Sequence, residues 1–492
     1  MTTAKKILLL ALAVAAVLGL LGLKACNDVP AAIGDSVPAR PLPTLDQPVH
    51  PYLNEPQRSS MHGGSYNRDL SSFPGPLGIE TRAAHRAFSP IVGVAPNIAF
   101  DNQGRLVTVS LKLNSIELHL LDPDTLETLA MYELPEKASF DDNSGGGYFH
   151  LDQHGRALLA PSDNTIKIFE VVEEGGAVHW QVAESYDVSE VLPEGANIHD
   201  VIPDWEGNLW FVTSSGLLGY RDRSSGEFHT YQMPNAGEKI QNSFAVDAEG
   251  VYVVSTDALY QFKINGSTGE LYYTWREDYD NGAVQKPGTL SHGSGTSPTL
   301  IGADLVAIAD DGHPFTHIMV YRRGEQIEGD RVLCKVPLFE SGKSATENSL
   351  MVYGDAMVVQ NDYGHVYSGN ALETSPGITR VDVREDRSGC DVVWYNESML
   401  SQSLPRLSTT TGLLYFYTFK KQQPDDLFGG WYLTAVDFDT GEEIWDRLIG
   451  AGSGNIIDPL SSVTAPVVLG PNGGAYVGIR TGVVMARDAA EP

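Results

Sequence analysis

The stretch Ile198–Ser214, which reads IHDVIPDWEGNLWFVTS, shows the pattern on which the whole chain is built. A polar pair, His199-Asp200, leads into a short apolar run, and a turn containing Asp, Glu and Gly separates that run from a second one. Two short apolar runs joined by such a turn are typical of a β-hairpin. The stretch therefore predicts two neighbouring strands of an antiparallel sheet.

The same hairpin pattern occurs seven more times. The eight copies begin at Ala99, His150, Val201, Ala245, Leu300, Met351, Leu407 and Val468. Successive copies begin 44 to 61 residues apart, and a second strand–turn–strand segment follows each of the first seven. Units of this length with four strands each predict an all-β, eight-bladed β-propeller, whose blades bury their faces against one another.

The eighth unit is one strand short, because only Thr481–Asp488 follows its hairpin before the C-terminal residues. An open ring would leave a sheet edge exposed. We therefore expect the region Ile79–Ala87 to supply the outer strand of the last blade, so that residues 60–492 form the propeller. The alternative is a seven-bladed ring with additional strands at one end.

Residues 1–26 have the layout of an export signal or a membrane anchor. Lys5-Lys6 precede the apolar run Ile7–Leu23, and Lys24-Ala25-Cys26 follow it. The last four residues resemble a bacterial lipobox, in which the Cys is acylated, although Lys24 departs from the usual pattern. An uncleaved anchor is the alternative, because the apolar run is slightly shorter than the ~20 residues that span a bilayer. Either reading predicts an extracytoplasmic, membrane-tethered protein in the periplasm or at the cell surface, most simply of a bacterium.

Residues 27–59 are rich in Pro and have no hydrophobic period. Such a composition predicts an extended tether without a core of its own. We expect this tether to set the distance between the propeller and the membrane.

The composition bears on the partners and on the redox state. With 33 Lys and Arg against 63 Asp and Glu, the net charge is −30, which excludes nucleic acid as a partner and leaves the N-terminal segment as the means of membrane attachment. Cys334 and Cys390 could form a disulfide in an oxidising compartment or remain as two thiols.

The segment Ala435–Trp445, AVDFDTGEEIW, resembles the tryptophan-docking repeat of the quinoprotein (PQQ-binding-like) eight-bladed propeller superfamily. The resemblance implies that Trp445 packs between neighbouring blades and that Thr440-Gly441 form a turn. The superfamily includes PQQ-dependent dehydrogenases as well as scaffolds and binding proteins without a cofactor. The adjacent Cys-Cys pair that those dehydrogenases place beside the quinone is missing here, so PQQ is not the expected cofactor, although it is not excluded.

The inner strands of a propeller begin near its axis on one face, which we call the axial face. Oxygen-bearing side chains occur at several of these strand starts and could converge as ligands of Ca²⁺, a hard cation. These candidate metal ligands are Asn97, Asp200, Asn242, Glu347 and Asn348. The alternative is that polar residues begin strands because they satisfy the backbone there.

Three residues are candidates for catalysis. His199 beside Asp200 could act as a general base, and Arg406 could hold an anionic group of a ligand. Adjacent residues of a strand point to opposite faces, so His199 and Asp200 need not touch. For Arg406 the alternative is a salt bridge to an axial carboxylate such as Glu347.

Long loops of blades five, six and seven lie on the same face. They span Asp310–His317, Asn361–Gly377 and Lys420–Gly430, and within them Tyr363 and Phe428 could cover a ligand. Long insertions on one side of a fold often mark a binding edge, and solvated decoration is the alternative. The sequence thus favours a binding or scaffold propeller with a small-molecule or protein ligand at the axial face. The alternative is an enzyme, either a metal-assisted hydrolase or lyase or a PQQ-dependent oxidoreductase.

Overall fold

The computed structural model describes residues 28–45, 48–137, 145–283, 285–289, 291–365, 374–401, 403–455, 457–462 and 465–489. The expected export signal or anchor, with Cys26, lies outside the described residues. Among the residues that are described, no helix is long and apolar enough to cross a membrane.

The chain forms eight antiparallel sheets, and the prediction of an all-β, eight-bladed propeller is confirmed. Each of the first four blades is continuous in sequence. Blade one contains β3 (Gly93–Val94), β4 (Ile98–Phe100), β5 (Leu106–Lys112), β6 (Ile116–Leu121) and β7 (Thr128–Leu134). Blade two contains β8 (His150–Leu151), β9 (Ala157–Leu159), β10 (Thr165–Glu174) and β11 (Ala177–Asp187). Blade three contains β12 (Ile198–Pro203), β13 (Leu209–Thr213), β14 (Leu217–Arg221) and β15 (Phe228–Gln232). Blade four contains β16 (Ala245–Asp247), β17 (Gly250–Val254), β18 (Ala258–Ile264) and β19 (Leu271–Asp278).

The last four blades repeat this order, with strands from the N-terminal region added to two of them. Blade five contains β20 (Thr299–Ile301), β21 (Leu305–Ala309), β22 (His317–Arg322) and β23 (Val332–Pro337). Blade six contains β24 (Met351–Tyr353), β25 (Ala356–Gln360), β26 (Ile378–Val383) and β27 (Cys390–Asn396). Blade seven contains β28 (Arg406–Ser408), β29 (Leu413–Lys420), β30 (Gly429–Asp437) and β31 (Glu443–Gly452), with β1 (Leu70–Ser71) parallel to β28. Blade eight contains β32 (Val467–Leu469), β33 (Ala475–Ile479), β34 (Gly482–Arg487) and β2 (Arg82–Ala87).

The first and last parts of the chain share blade eight. β2 pairs antiparallel with β34, from Arg82 opposite Arg487 to Ala87 opposite Gly482. β2 therefore occupies the outer position of the blade, and β34 is not left as an unpaired edge.

Tryptophans of the outer strands join neighbouring blades. Trp445 is fully buried in the apolar cluster that blades seven and eight share. Trp394 of blade six donates its Nε1–H to the carbonyl of Phe438 in blade seven at 3.0 Å, and Trp275 of blade four donates to Arg323 of blade five at 2.9 Å. The rings of Trp394 and Trp275 thus combine apolar packing with a polar contact to the next blade, whereas Trp445 contributes apolar packing.

We expect Gly441→Ala to lower the free energy of unfolding by roughly 1–3 kcal/mol, because overpacking of a tight contact carries a cost of this size. An added Cβ would lie 2.5 Å from the ring of Trp394, and Gly441 has a φ of +73°. Gly175→Ala is the matched control, since Gly175 has a φ of +59° but nothing within 4 Å of the added Cβ. Chemical denaturation of both variants measures the difference. Equal losses would mean that backbone strain, and not the Trp394 contact, sets the cost.

A disulfide connects the outer strands of blades five and six. Cys334 of β23 and Cys390 of β27 are bonded, with 5.9 Å between their Cα atoms. Of the two states that the sequence left open, the structure has the paired one.

Residues 28–45, which we call the strap, differ from the expected free tether because they are docked on the propeller. The backbone N–H groups of Val37, Arg40 and Leu42 donate to the carbonyls of Leu77, Thr411 and Thr409 at 3.1, 2.9 and 2.8 Å. The segment is extended and has no core of its own, and it satisfies its backbone on structure that other parts of the chain supply.

Residues 48–72, which we call the plug, cross the face opposite the axial face and reach the inner strands. They include α1 (Pro56–Ser59) and an isolated bridge from Leu53 to Asp152 of blade two. Further along, the carbonyls of Ser65, Tyr66 and Arg68 accept the N–H groups of Val246, Leu300 and Val352 at 2.9, 3.0 and 2.8 Å. The plug therefore contacts the inner strands of blades four, five and six in turn, where the sequence indicated only a tether followed by turns.

Candidate functional site

Asp200 is the centre of a buried polar cluster on the inner strands. Its carboxylate accepts hydrogen bonds from the ring of His150 in blade two at 3.0 Å and from the hydroxyl of Ser243 in blade four at 2.5 Å. Burial alone would raise the pKa of Asp200, but His150 and Ser243 favour the ionised form, and the pKa lies below its ordinary value. The side chain thus links three successive blades.

The imidazole that pairs with Asp200 in this cluster was not among the predicted site residues. His150 comes from the neighbouring blade, whereas the sequence predicted His199, in the same strand, as a general base that need not touch Asp200. The His199 ring packs against Tyr148, with 4.9 Å between the ring centroids. Proximity in sequence could not identify the partner of Asp200, because His150 lies across the blade boundary.

Tyr148 lies among the strand starts of blades three, four and five on the axial face. Its hydroxyl lies against the backbone of Ser243 and the side chain of Ser297, and burial, together with the nearby charge of Asp200, raises the pKa of the phenol. On its other side the plug approaches, with 6.1 Å between the rings of Tyr148 and His62. Tyr148 and the plug therefore occupy the channel from the two faces.

Arg406 is buried against the plug. Its guanidinium forms an ion pair with Asp69 at 3.4 Å and donates to the carbonyl of Val467 at 3.1 Å and to those of Leu70 and Met61. Burial lowers the pKa of the guanidinium, and Asp69 opposes that effect. The sequence analysis gave a salt bridge to an axial carboxylate such as Glu347 as the alternative role of Arg406. Arg406 does form a salt bridge, but its partner is Asp69.

The predicted ring of oxygen donors is engaged in contacts within the protein. The amide groups of Asn97 and Asn242 donate to the carbonyls of Phe149 and Ser294 at 3.0 and 2.8 Å. In blade six, the amide of Asn348 and the backbone N–H of Glu347 donate to Asp362 at 2.9 and 2.8 Å. These contacts are the ones expected of polar residues that fasten strand starts.

The calcium hypothesis stays a prediction. Only the Oδ1 atoms of Asn97 and Asn348 remain buried without a hydrogen-bond partner among the three asparagines. Ca²⁺ takes 6–8 oxygen ligands, several of them carboxylates. Within the described part of the chain, no three His, Cys, Asp or Glu residues lie close enough together to hold a metal ion.

A cavity of about 360 Å³ opens on the axial face, between the loops of blades five and six. Its polar lining residues are Gln285, Lys286, Asp311, His313, Ser344 and Tyr363. The rest of the wall consists of small residues and prolines, namely Gly282, Ala283, Pro287, Pro314 and Gly342. The cavity thus has an apolar wall with a few polar groups, which is the usual character of a small-molecule site.

Lys286 and Asp311 form a buried ion pair in this wall. The Lys286 ammonium lies 3.1 Å from Asp311 Oδ1 and donates to the carbonyl of Gly312 at 2.7 Å and the hydroxyl of Thr316 at 2.8 Å. These three contacts account for all three donors of the ammonium. Asp311 Oδ2 is buried without a hydrogen-bond partner, and burial raises the pKa of Asp311 to about 6 against the opposing effect of Lys286.

The loops predicted to form a binding edge are placed differently by the structure. Tyr363 lines the cavity, as does part of Asp310–His317, and residues 366–373 of the blade-six loop lie outside the described residues. Phe428 is on blade seven, away from this cavity, where its N–H donates to Asp28 at 3.4 Å. Lys286, in the connection between blades four and five, carried no signal in the sequence because a single Lys in an aperiodic segment is most often exposed.

Comparison with known proteins gives the fold. No protein-family model matches the chain, and no curated protein matches it. The crystal structure of Sqt1 from Chaetomium thermophilum matches 83% of this chain and 100% of its own with 11% identity and a TM-score of 0.51. BamB from Moraxella catarrhalis covers 84% of this chain and 98% of its own at 11% identity and a TM-score of 0.44, and a streptogramin B lyase structure covers 83% and 97% at 12% identity and 0.39. At identities this low the likeness concerns the β-propeller fold alone.

Proposed function

We propose that this chain is an extracytoplasmic, membrane-tethered β-propeller that binds a small organic molecule on its axial face. The carrying observation is the cavity of about 360 Å³ between blades five and six, with the Lys286–Asp311 pair in its wall. Small-molecule sites commonly measure about 300–1,000 Å³. The site lies on the face where the long loops converge.

Binding is favoured over catalysis on the axis by the contacts of the candidate catalytic residues. The ring of His199, the predicted base, packs against Tyr148. Asp200 is held by His150 and Ser243, and Arg406 is held by Asp69 and by backbone carbonyls. A catalytic base needs a free path to the proton that it takes. With Tyr148 packed among these residues, the axis serves to fasten the blades.

The chemistry of the cavity selects its ligand. Lys286 has no donor left for a ligand anion, whereas Asp311 Oδ2 still needs a hydrogen-bond donor. A ligand with an apolar body and one amine or hydroxyl group satisfies that oxygen. The net charge of −30 further favours an amine over an acid.

The membrane tether and the superfamily rest on sequence features. The tether rests on Lys5-Lys6 and the apolar run Ile7–Leu23, and the disulfide suits an oxidising compartment outside the cytoplasm. Distant membership of the quinoprotein-like superfamily is supported by the segment Ala435–Trp445 and by the burial of Trp445 between two blades.

We expect benzylamine to bind with roughly millimolar affinity, benzyl alcohol more weakly and benzoate not measurably, because only the first two bring a donor to Asp311. Titration calorimetry measures the three affinities. Ala283→Trp should abolish binding of both ligands, since Ala283 is exposed at the cavity and the indole would fill it. Ala83→Trp, on the exposed outer strand of blade eight, is the matched control and should bind like the parent.

The same titration gives a pH profile. Benzylamine requires ionised Asp311, so its affinity should fall about tenfold between pH 7 and pH 5 for a pKa of about 6. Lys286 and His292 also face Asp311, and the positive charge of Lys286 adds to the decrease as the carboxylate is neutralised. Stronger binding of benzoate, or full binding by Ala283→Trp, would overturn the proposed site.

A further inference from the structure

The strap begins on the axial face, beside a loop of blade seven. The carbonyl of Asp28 accepts the N–H of Gln422 at 3.1 Å, and its carboxylate accepts the N–H of Phe428 at 3.4 Å. Both partners belong to the connection between β29 and β30, which lies on the axial face because β29 runs towards that face. Two residues later, the carbonyl of Pro30 accepts the hydroxyl of Tyr432. The first described residues are therefore fixed to the propeller.

Little chain separates this point from the expected membrane segment. Two residues lead from Cys26 to Asp28, and two residues of fully extended chain span at most about 7 Å. Cys26, if acylated, and Leu23, as the end of an uncleaved apolar run, both lie within a few residues of Asp28, which is bonded to the blade-seven loop. Either form of tether thus holds the axial face near the bilayer, and the strap adds no spacer.

Four of the five most exposed large apolar side chains among the described residues lie on this face. The five described large apolar residues with the greatest exposure are Val49 (79%), Ile457 (72%), Ile91 (62%), Leu113 (59%) and Leu427 (59%). Leu427 lies in the same loop as Gln422, and Ile457 lies in the connection from blade seven to blade eight. Ile91 precedes β3, and Leu113 lies in the turn between β5 and β6. All except Val49 therefore lie on the axial side of blades seven, eight and one.

We infer that the axial side of blades seven, eight and one is a bilayer-contact surface, with Leu427 and Ile457 on the side where the tether enters. The occupant is the interfacial layer of the membrane that holds the tether, so this inference rests on the tether proposed above. Apolar side chains exposed together on a soluble fold mark an interaction surface, and side chains of this type enter the interface between headgroups and acyl chains. The cavity of blades five and six lies outside the surface and remains open to solvent.

The negative charge of the protein restricts which lipid headgroups the surface can contact. Asp425 is exposed in the same loop as Leu427, and the net charge is −30, so an anionic headgroup layer is repelled. The contact therefore depends on the apolar side chains and on the tether, and a zwitterionic bilayer is the appropriate surface.

The test uses the full chain in nanodiscs of phosphatidylcholine, with bimane attached to Ile457→Cys or Leu427→Cys. Both positions are exposed, so neither substitution disturbs the core. We expect roughly a twofold loss of bimane fluorescence when the acyl chains are brominated, because the quencher then lies beside a side chain in the interface. Val49→Cys, on the opposite face and more exposed, is the control and should be unaffected.

The parent chain treated with the same reagent corrects for any label on Cys26, since Cys334 and Cys390 are bonded to each other. Equal fluorescence of the Ile457→Cys and Leu427→Cys labels in both kinds of nanodisc would overturn the bilayer-contact surface while leaving the tether intact. Failure of the parent chain to remain with the nanodiscs during gel filtration would overturn the tether itself. The two outcomes are read from separate measurements.

Discussion

Asp69→Asn should lower the free energy of unfolding by about 3–5 kcal/mol, the usual cost of removing one partner of a buried ion pair. Asp69 is fully buried and lies 3.4 Å from the guanidinium of Arg406, which is itself buried. Without the carboxylate, the positive charge of Arg406 remains in the interior with only backbone carbonyls around it. The change in the midpoint of chemical denaturation measures the loss.

Asn is the appropriate replacement because it removes the negative charge of Asp69 without changing the backbone conformation. Asp69 has a φ of +53°, a region that Asn also tolerates. Asp391→Asn is the matched control, since Asp391 pairs with Arg384 on the surface and should have little effect. Adding Arg406→Met to Asp69→Asn should recover part of the loss, because an apolar side chain replaces the uncompensated charge.

The position of the ion pair also determines which part of the Asp69→Asn variant loses stability first. The carbonyl of Leu70 accepts from Arg406, and β1 pairs with β28 beside it. Hydrogen exchange in Asp69→Asn should therefore accelerate first in the plug and β28, and less in the outer strands. A variant as stable as the parent, or one that loosens all blades equally, would show that the plug does not depend on this pair.

The blades could be predicted from the sequence because each one repeats the same local pattern. A stretch such as Ile198–Ser214 needs only its own alternation of apolar runs and turns to indicate a hairpin, and eight copies indicate a ring. The outer strand near Ile79–Ala87 followed from the missing edge of the last unit. These inferences use short-range patterns and the requirement that edges be paired.

The plug and the strap could not be predicted, because they have no pattern of their own. Residues such as Arg40 and Ser65 bond to backbone groups of distant blades, and an aperiodic, Pro-rich sequence is equally compatible with a free tether. The partner of Asp200 was missed for a similar reason. His150 lies fifty positions earlier, and only the stacking of blade two on blade three brings the two side chains together.

The cavity could be predicted from the sequence only in part. The long loops of blades five and six were identified from their length, but the Lys286–Asp311 pair depends on how two loops from different blades fold over each other. A charged pair of this kind leaves no spacing signal in the sequence. The site therefore became visible only with the three-dimensional arrangement.

Asp200→Ala should lower the free energy of unfolding by about 3 kcal/mol or more, because hydrogen bonds to a charged group contribute about 1.5–3 kcal/mol each. The carboxylate is buried, and both His150 and Ser243 would lose their acceptor. Asp200→Asn keeps an acceptor oxygen and should lose less. The midpoint of chemical denaturation compares the two variants with the parent.

The pH dependence separates this fastening role from a catalytic one. Because the pKa of Asp200 is lower in the folded chain than its ordinary value, its stabilising contribution is complete above the unfolded value of about 3.9 and is lost as the pH falls below that value. The parent should therefore lose stability below about pH 4 more steeply than Asp200→Asn, which has no carboxylate to protonate. If Asp200→Ala unfolded at the parent midpoint and the acid profiles were parallel, the carboxylate would not hold the blades together. A buried acid that contributes nothing to stability would then need a chemical role, and the axial face would again be the candidate active site.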